Sequence, residues 1–157
     1  MPPMIQFPCD FFDGAAAKNK GGAGFVLHLS RSHSIHFSLG CRKCTNTKSE
    51  MMAQWTLLTV SKIMGIPLLS IYGDSLVIIQ WATGKSNLNL PHLSHWCDDI
   101  KDLLQIFPRV IMKHTYREHN QIADSLSKKA LLLDSSYGEY KEVLNDISTE
   151  HGNFQLF

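Results

Sequence analysis

Thr45-Asn46-Thr47-Lys48-Ser49-Glu50-Met51-Met52, followed after one helical stretch by Gly65-Ile66-Pro67-Leu68-Leu69-Ser70-Ile71-Tyr72-Gly73-Asp74, decides the fold. Thr45, Asn46 and Thr47 are N-cap candidates. Met51, Met52, Trp55, Leu58, Thr59 and Lys62 to Met64 then recur at the i, i+3, i+4 spacing of an amphipathic helix that Gly65 stops. Ile66 to Tyr72 is a short apolar run bounded by turn residues. A strand that follows a helix in this way is the second half of a parallel crossover, so the sheet must contain parallel neighbours.

Upstream, Gln6 to Phe12 reads as a strand entering a turn at Asp13-Gly14-Ala15, and Gly21-Gly22-Ala23-Gly24 reads as a loop. Phe25 to Leu29 and Ile35 to Leu39 read as two further strands around the polar turn Ser30-Arg31-Ser32-His33-Ser34. Downstream, Ser75 to Trp81 reads as a short helix closed by Gly84. Pro91 to Phe107 reads as a helix with Leu93, Trp96, Ile100, Leu103 and Leu104 on one face, and Arg109 to Tyr116 alternates as a last strand. His119 or Asn120 opens a final helix in which Ile122, Ala123, Leu126 and Ala130 share a face. The order is β-β-β-α-β-α-α-β-α: an α/β fold whose mixed five-stranded sheet, three antiparallel strands plus two parallel ones, is flanked by helices. Residues 6–132 form the domain, and residues 133–157 read as a C-terminal tail of unassigned structure.

A chain of 157 residues matches one domain in length. Its 44% hydrophobic and 18% charged residues exclude a disordered chain. Lys and Arg number 15 against 14 Asp and Glu, a net charge of +1, so nucleic acid would have to be held by local patches and not by the overall field. No apolar run approaches the roughly 18 residues of a membrane helix. The start, Met1-Pro2-Pro3-Met4-Ile5-Gln6, lacks the basic and apolar regions of a secretory signal, so the expectation is a nuclear or cytoplasmic monomer, neither secreted nor membrane-bound. Cys41-Arg42-Lys43-Cys44 has zinc-like spacing but no second ligand pair at fixed spacing, which favours reduced thiols at Cys9, Cys41, Cys44 and Cys97.

Asp13, Glu50, Asp74 and Asp124 stand where strands end or helices begin. A carboxylate in apolar surroundings costs several kcal/mol to bury unless it is paired, hydrogen-bonded or bound to a cation. Any one of the four is more simply a solvated charge; the set is informative. Hard oxygen donors without a companion His/Cys cluster suit Mg²⁺ or Mn²⁺, and two such ions about 4 Å apart clamp a phosphoryl group during in-line displacement.

Phe12-Asp13-Gly14-Ala15, Thr45-Asn46-Thr47-Lys48-Ser49-Glu50, Tyr72-Gly73-Asp74-Ser75 and Tyr116-Arg117-Glu118-His119-Asn120-Gln121-Ile122-Ala123-Asp124-Ser125-Leu126 resemble, in order, the successive motifs of type 1 ribonucleases H. The variant is most similar to the reverse-transcriptase-like, retrotransposon-derived ribonuclease H domains of plants, and the resemblance spans residues 6–132. It implies a ribonuclease H-like fold and a metal-dependent endonuclease that cuts the RNA strand of an RNA/DNA hybrid to leave a 5′-phosphate and a 3′-hydroxyl. It also implies two Mg²⁺ ions per site, with Mn²⁺ able to substitute. Asp13 would bridge both ions, Glu50 and Asp74 would hold the one on the leaving-group side, and Asp124 would complete the one that activates water. Thr45 and Asn46 would make minor-groove and phosphate contacts, and the backbone at Gly14 and Ala15 would read the 2′-hydroxyl that distinguishes RNA from DNA. A reverse transcriptase or another domain of a larger element is the protein partner that the resemblance suggests.

Some features depart from the pattern. Ser49 replaces the usual Ala, no basic cluster stands between Asp74 and the last strand, and Asp10 is a second acid that reads as lying on the strand's entry side. Lys18, Lys20, Arg42, Lys43 and Lys48 fall where phosphate contacts could form, and Trp55, Trp81 and Trp96 read as core. His114 has the family's spacing to Asp124, but the alternation of Val110, Met112, His114 and Tyr116 fixes it within a strand. Arg117 is then the residue placed to stabilise charge at the scissile phosphate, with His119 second. The competing reading is a catalytically silent nucleic-acid-binding or interaction module of retrotransposon origin. An exonuclease or integrase is disfavoured by the spacing of the last acid.

Overall fold

The computed structural model describes residues 6–67, 70–87 and 91–156. Strand β1 (Cys9–Ala17) pairs antiparallel with β2 (Lys20–His28), which pairs with β3 (His33–Cys41). Helix α1 (Asn46–Ile63) crosses back to β4 (Ser70–Gly73), parallel to β1 on its other side. Thr45 caps α1 by accepting a hydrogen bond from the Lys48 amide at 3.2 Å, and Gly65 ends the turn after the helix at φ +69°. Helices α2 (Leu76–Ala82) and α3 (Ser94–Ile106, entered through a 3-10 turn at Pro91–Leu93) lead to β5 (Ile111–His114), parallel to β4. After a 3-10 turn at Arg117–His119, α4 (Gln121–Ala130) follows, with Asn120 at its cap. The expected strand from Ile66 begins only at Ser70, and Leu68 and Leu69 lie outside the described residues. No helix among the described residues is long and apolar enough to cross a membrane.

Two expectations change. The first strand does not end at Asp13, and Gly21-Gly22-Ala23-Gly24 is not a loop: β1 runs through Asp13 to Ala17 against a β2 that contains all four of these residues. Their glycines allow a helix to lie directly on the sheet. A Cβ at Gly22 or Gly24 would collide with the α4 backbone at Ser127, so glycine here marks close backbone approach. What ends near Asp13 is β4, whose pairing with β1 stops at Phe12 opposite Gly73. Asp13 is thus the first residue of β1 without a β4 neighbour.

The second change is the strand count. Residues 137–155, read as part of a tail, form a hairpin of β6 (Tyr137–Leu144) and β7 (Ile147–Gln155) that continues the sheet beyond β3, so seven strands stand among the described residues in the order β5-β4-β1-β2-β3-β6-β7. Both faces of this hairpin are largely polar, which hides the alternation that usually reveals a strand. Its turn, Asn145-Asp146, has positive φ at both residues (54° and 64°), as a two-residue type I′ hairpin requires. Phe154 lies opposite Gly138 on the main-core side.

Successive residues of β1 face opposite layers. Phe12 joins Phe25, Leu27, Leu39, Met51, Leu57 and Ile71 in the main core under α1, whereas Cys9 and Phe11 pack with Val26 and Ala123 beneath α4. Trp81 is buried as expected. Trp55 and Trp96 are only partly so, and their rings meet edge-on at 5.5 Å along a surface cleft. Ile122, expected on the packed face of α4, is exposed; Ala123, Ser127 and Ala130 make that contact.

Candidate metal centre

Three of the four acids converge. One carboxylate oxygen from each of Asp13, Glu50 and Asp74 lies within 4.8 Å of the others, and Asp13 and Glu50 are buried. Each comes from a different element. Asp13 stands where β1 loses its β4 neighbour, and Asp74 directly follows β4. Glu50, expected where a helix begins, opens the second turn of α1, and it reaches the sheet because position 14 is glycine: a Cβ there would collide with the backbone of Ser49 and Glu50. Ser49 is buried and returns its hydroxyl to the Asn46 carbonyl at 2.8 Å, so serine in place of alanine is accommodated within the helix.

Burial is the first cause that raises the pKa of both Asp13 and Glu50. The hydrogen bond between them raises Glu50 and lowers Asp13, so Glu50 holds a proton more readily than Asp13 does, while the nearby Asp74 charge raises both. The Gly14 amide donates to Asp13 Oδ1 at 2.9 Å, further favouring ionised Asp13. Glu50 Oε2 is buried and has no hydrogen-bond partner among the described residues. Crowded carboxylates, among them a Glu50 that favours its protonated form and carries an orphaned oxygen, fit a hard divalent cation, which would take the proton's place and satisfy that oxygen.

Asp124 stands apart. It lies in the first turn of α4, close enough to Asp13 to raise it, but outside the 4.8 Å group, and its Oδ2 is 3.0 Å from Lys128 Nζ one turn along the helix. The residues expected to touch substrate lie on several elements. Gly14 and Ala15 are half-buried on β1, and Thr45 and Asn46 are exposed at the N-terminus of α1, the Thr45 hydroxyl already serving as cap. Arg117 and His119 are exposed in the 3-10 turn. His114 is held by its backbone as the last residue of β5, opposite Gly73 and hence beside Asp74, yet its side chain is exposed and edge-on to Tyr116 at 5.6 Å. The strand expected there does fix its backbone, but not in the interior.

Two buried polar residues differ from their sequence reading: Asn120, read only as a possible helix start, and Asp10, read as lying at the strand's entry. Asn120 is buried, and its Nδ2 donates to the Phe12 carbonyl at 3.0 Å. Its signal was visible as a good N-cap residue four positions before Asp124. Asp10, expected on the entry side of the strand, is completely buried on the main-core face, and neither of its oxygens has a hydrogen-bond partner among the described residues.

Residues 11–130 match the model of a family described as reverse transcriptase-like. The uncharacterized protein YpeP of Bacillus subtilis (strain 168) is 30% identical over 139 residues, 82% of this chain; the match spans 62% of that protein, less than two thirds of its length. Among solved structures, RNase H1 from the halophilic archaeon Halobacterium salinarum NRC-1 superposes with a TM-score of 0.73 at 26% identity, covering 78% of this chain and 96% of that one. LC11-RNase H1, solved in complex with RNA/DNA hybrid, gives a TM-score of 0.72 at 22% identity over 78% of this chain and 95% of its own.

Proposed function

The chain belongs to the reverse transcriptase-like family and has the ribonuclease H-like fold, and from that premise we propose that it is a divalent-metal-dependent endonuclease hydrolysing the RNA strand of RNA/DNA hybrids. The observation that carries this reading is the convergence of Asp13, Glu50 and Asp74 from three elements onto one 4.8 Å group. Asp13, Glu50 and Asp74 would hold one Mg²⁺, and Asp13 with Asp124 a second, Mn²⁺ being an alternative. When bound, such ions activate the attacking water and stabilise charge on the leaving oxygen, which corresponds to 5′-phosphate and 3′-hydroxyl products.

The chain's own groups would then act on the substrate. Thr45 and Asn46, at the start of α1, would hold the hybrid's backbone and minor groove. The main chain at Gly14 and Ala15 would contact the 2′-hydroxyl. Arg117, a permanent cation, would stabilise charge on the phosphate. His114 gains support as the proton-transfer group from its exposed position beside the Asp74-bearing strand end. A reverse transcriptase or another domain of a larger element is the protein partner we propose.

One observation favours the silent nucleic-acid-binding module instead: Asp124 is engaged by Lys128 and lies outside the three-acid group. The test is to incubate end-labelled RNA/DNA hybrid with the protein in Mg²⁺, alongside matched RNA/RNA and DNA/DNA duplexes. Cleavage of the hybrid's RNA strand alone, abolished by EDTA, is the expected result. Binding of the hybrid without cut RNA in either Mg²⁺ or Mn²⁺ would establish the silent reading.

A further inference from the structure

Asn120 joins the two parts of the acidic site that α4 and β1 contribute separately. Its main-chain carbonyl accepts the first hydrogen bond of α4 from the Asp124 amide at 3.0 Å. Its side chain, 1% exposed, donates from Nδ2 to the Phe12 carbonyl at 3.0 Å. Phe12 immediately precedes Asp13, and its register partners in β2 and β4 are Phe25 and Gly73. Beyond Gly73 the chain turns away into Asp74 and α2, so the Asn120 carboxamide meets β1 where the β4 ladder stops. One side chain therefore links the backbone that aims Asp13 to the backbone that aims Asp124. Asn120 makes no side-chain cap bond to α4, so helix capping does not explain its burial. Asp124, a half-exposed residue already drawn toward Lys128, is the acid most in need of such a fixture.

We propose that Asn120 is a positioning residue that sets Asp124 against Asp13 and so tunes the affinity of the site for its divalent ions. This rests on the metal-site reading above and deepens it. Groups one step removed from a metal ligand commonly alter metal affinity or activity by about 10- to 100-fold when removed.

The experiment is Mn²⁺ titration of the full chain without nucleic acid, following free Mn²⁺ by electron paramagnetic resonance. It compares wild type, Asn120→Ser, Asp124→Asn and the double variant, with thermal melts in EDTA run beside them. Serine retains a good N-cap residue, so α4 still has its start, but it is too short to bridge to Phe12. The expected result is that Asn120→Ser weakens Mn²⁺ binding about tenfold in the wild-type background and by less than about twofold when Asp124 is already Asn, because the two act as one unit. Should Asn120→Ser not fold, the same cycle is run with Asn120→Thr. A purely structural Asn120 would lower melting temperature yet give equal affinity changes in both backgrounds, and that result overturns the proposal. So does wild type that binds no Mn²⁺. A chain that shows the expected coupling but cuts no hybrid refutes the nuclease reading and leaves this one in place.

Discussion

Asp10→Val should stabilise the protein, and increasingly so as pH rises. Asp10 lies on the main-core face of β1 with Leu27 and Ile71 as its register partners on either side, is fully buried, and has no hydrogen-bond partner for either oxygen among the described residues. A buried polar group left unsatisfied costs about 1–3 kcal/mol, and valine has similar volume and suits a strand between two branched aliphatics. In a domain of 157 residues each kcal/mol shifts the melting temperature by roughly 2–4 °C, so a gain of about 2–12 °C is expected. The pH dependence follows from burial, which raises the carboxyl well above its ordinary value of 3.8. The folded state keeps the proton that the unfolded chain releases, so whatever stability Asp10 contributes is fully present below about pH 4 and is lost as pH climbs toward the folded value, at up to about 1.4 kcal/mol per unit. Asp13 and Glu50 have raised values too, but they are common to both proteins and cancel in the difference. Urea denaturation of wild type and Asp10→Val in EDTA at pH 5, 7 and 9 measures this. The reasoning is refuted if Asp10→Val is the less stable protein at pH 7, or if the gap between the two is the same at all three pH values.

Asp13→Asn or Asp74→Asn should remove hybrid cleavage without lowering the melting temperature in EDTA, because each relieves repulsion in a crowded acidic group; a variant that unfolds at room temperature or keeps near-wild-type rate contradicts this. Burial, followed by the hydrogen bond to Asp13, raises Glu50 to about 10, so a cation must displace its proton, and apparent Mg²⁺ affinity should strengthen between pH 6 and 9 and lose that trend in Glu50→Gln. Arg117→Ala should slow cleavage about 10- to 1000-fold, the range of one electrostatic donor. If His114→Ala instead abolishes activity in a folded protein and flattens the rate profile near neutral pH, the histidine is the proton-transfer group. Hybrid affinity, resting on scattered side chains in a chain of net charge +1, should weaken steeply between low and physiological salt in a filter-binding titration.

The helix–strand crossover from Thr45 to Asp74 was legible because its signals are local, a cap residue and a glycine stop, whereas the apolar face was read only in part: Lys62 to Met64 are exposed and α1 is buried on most sides. The β6–β7 hairpin was not, since its strands are polar on both faces and it is held by pairing to β3, a partner about 100 residues earlier in the chain. The same limit hid the glycines of β2. Gly21 to Gly24 has the composition of a loop, and it is α4 pressed against Gly22 and Gly24 that makes glycine a requirement of the strand there.

Asp10 and Asp13 show how far residue type alone can carry a reading. They are three residues apart in one strand, so their side chains point to opposite faces. On one face, Asp10 falls between two strands that continue past it and is sealed under α1, where no hydrogen-bond donor among the described residues reaches it. On the other, Asp13 falls one residue beyond the last β4 pair, and the gap left by that shorter strand admits Glu50 from α1, Asp74 from the strand's own exit and Asp124 from α4. The chemistry of the site is thus set less by which residues are acidic than by where β4 ends, at Gly73 just before the turn into α2.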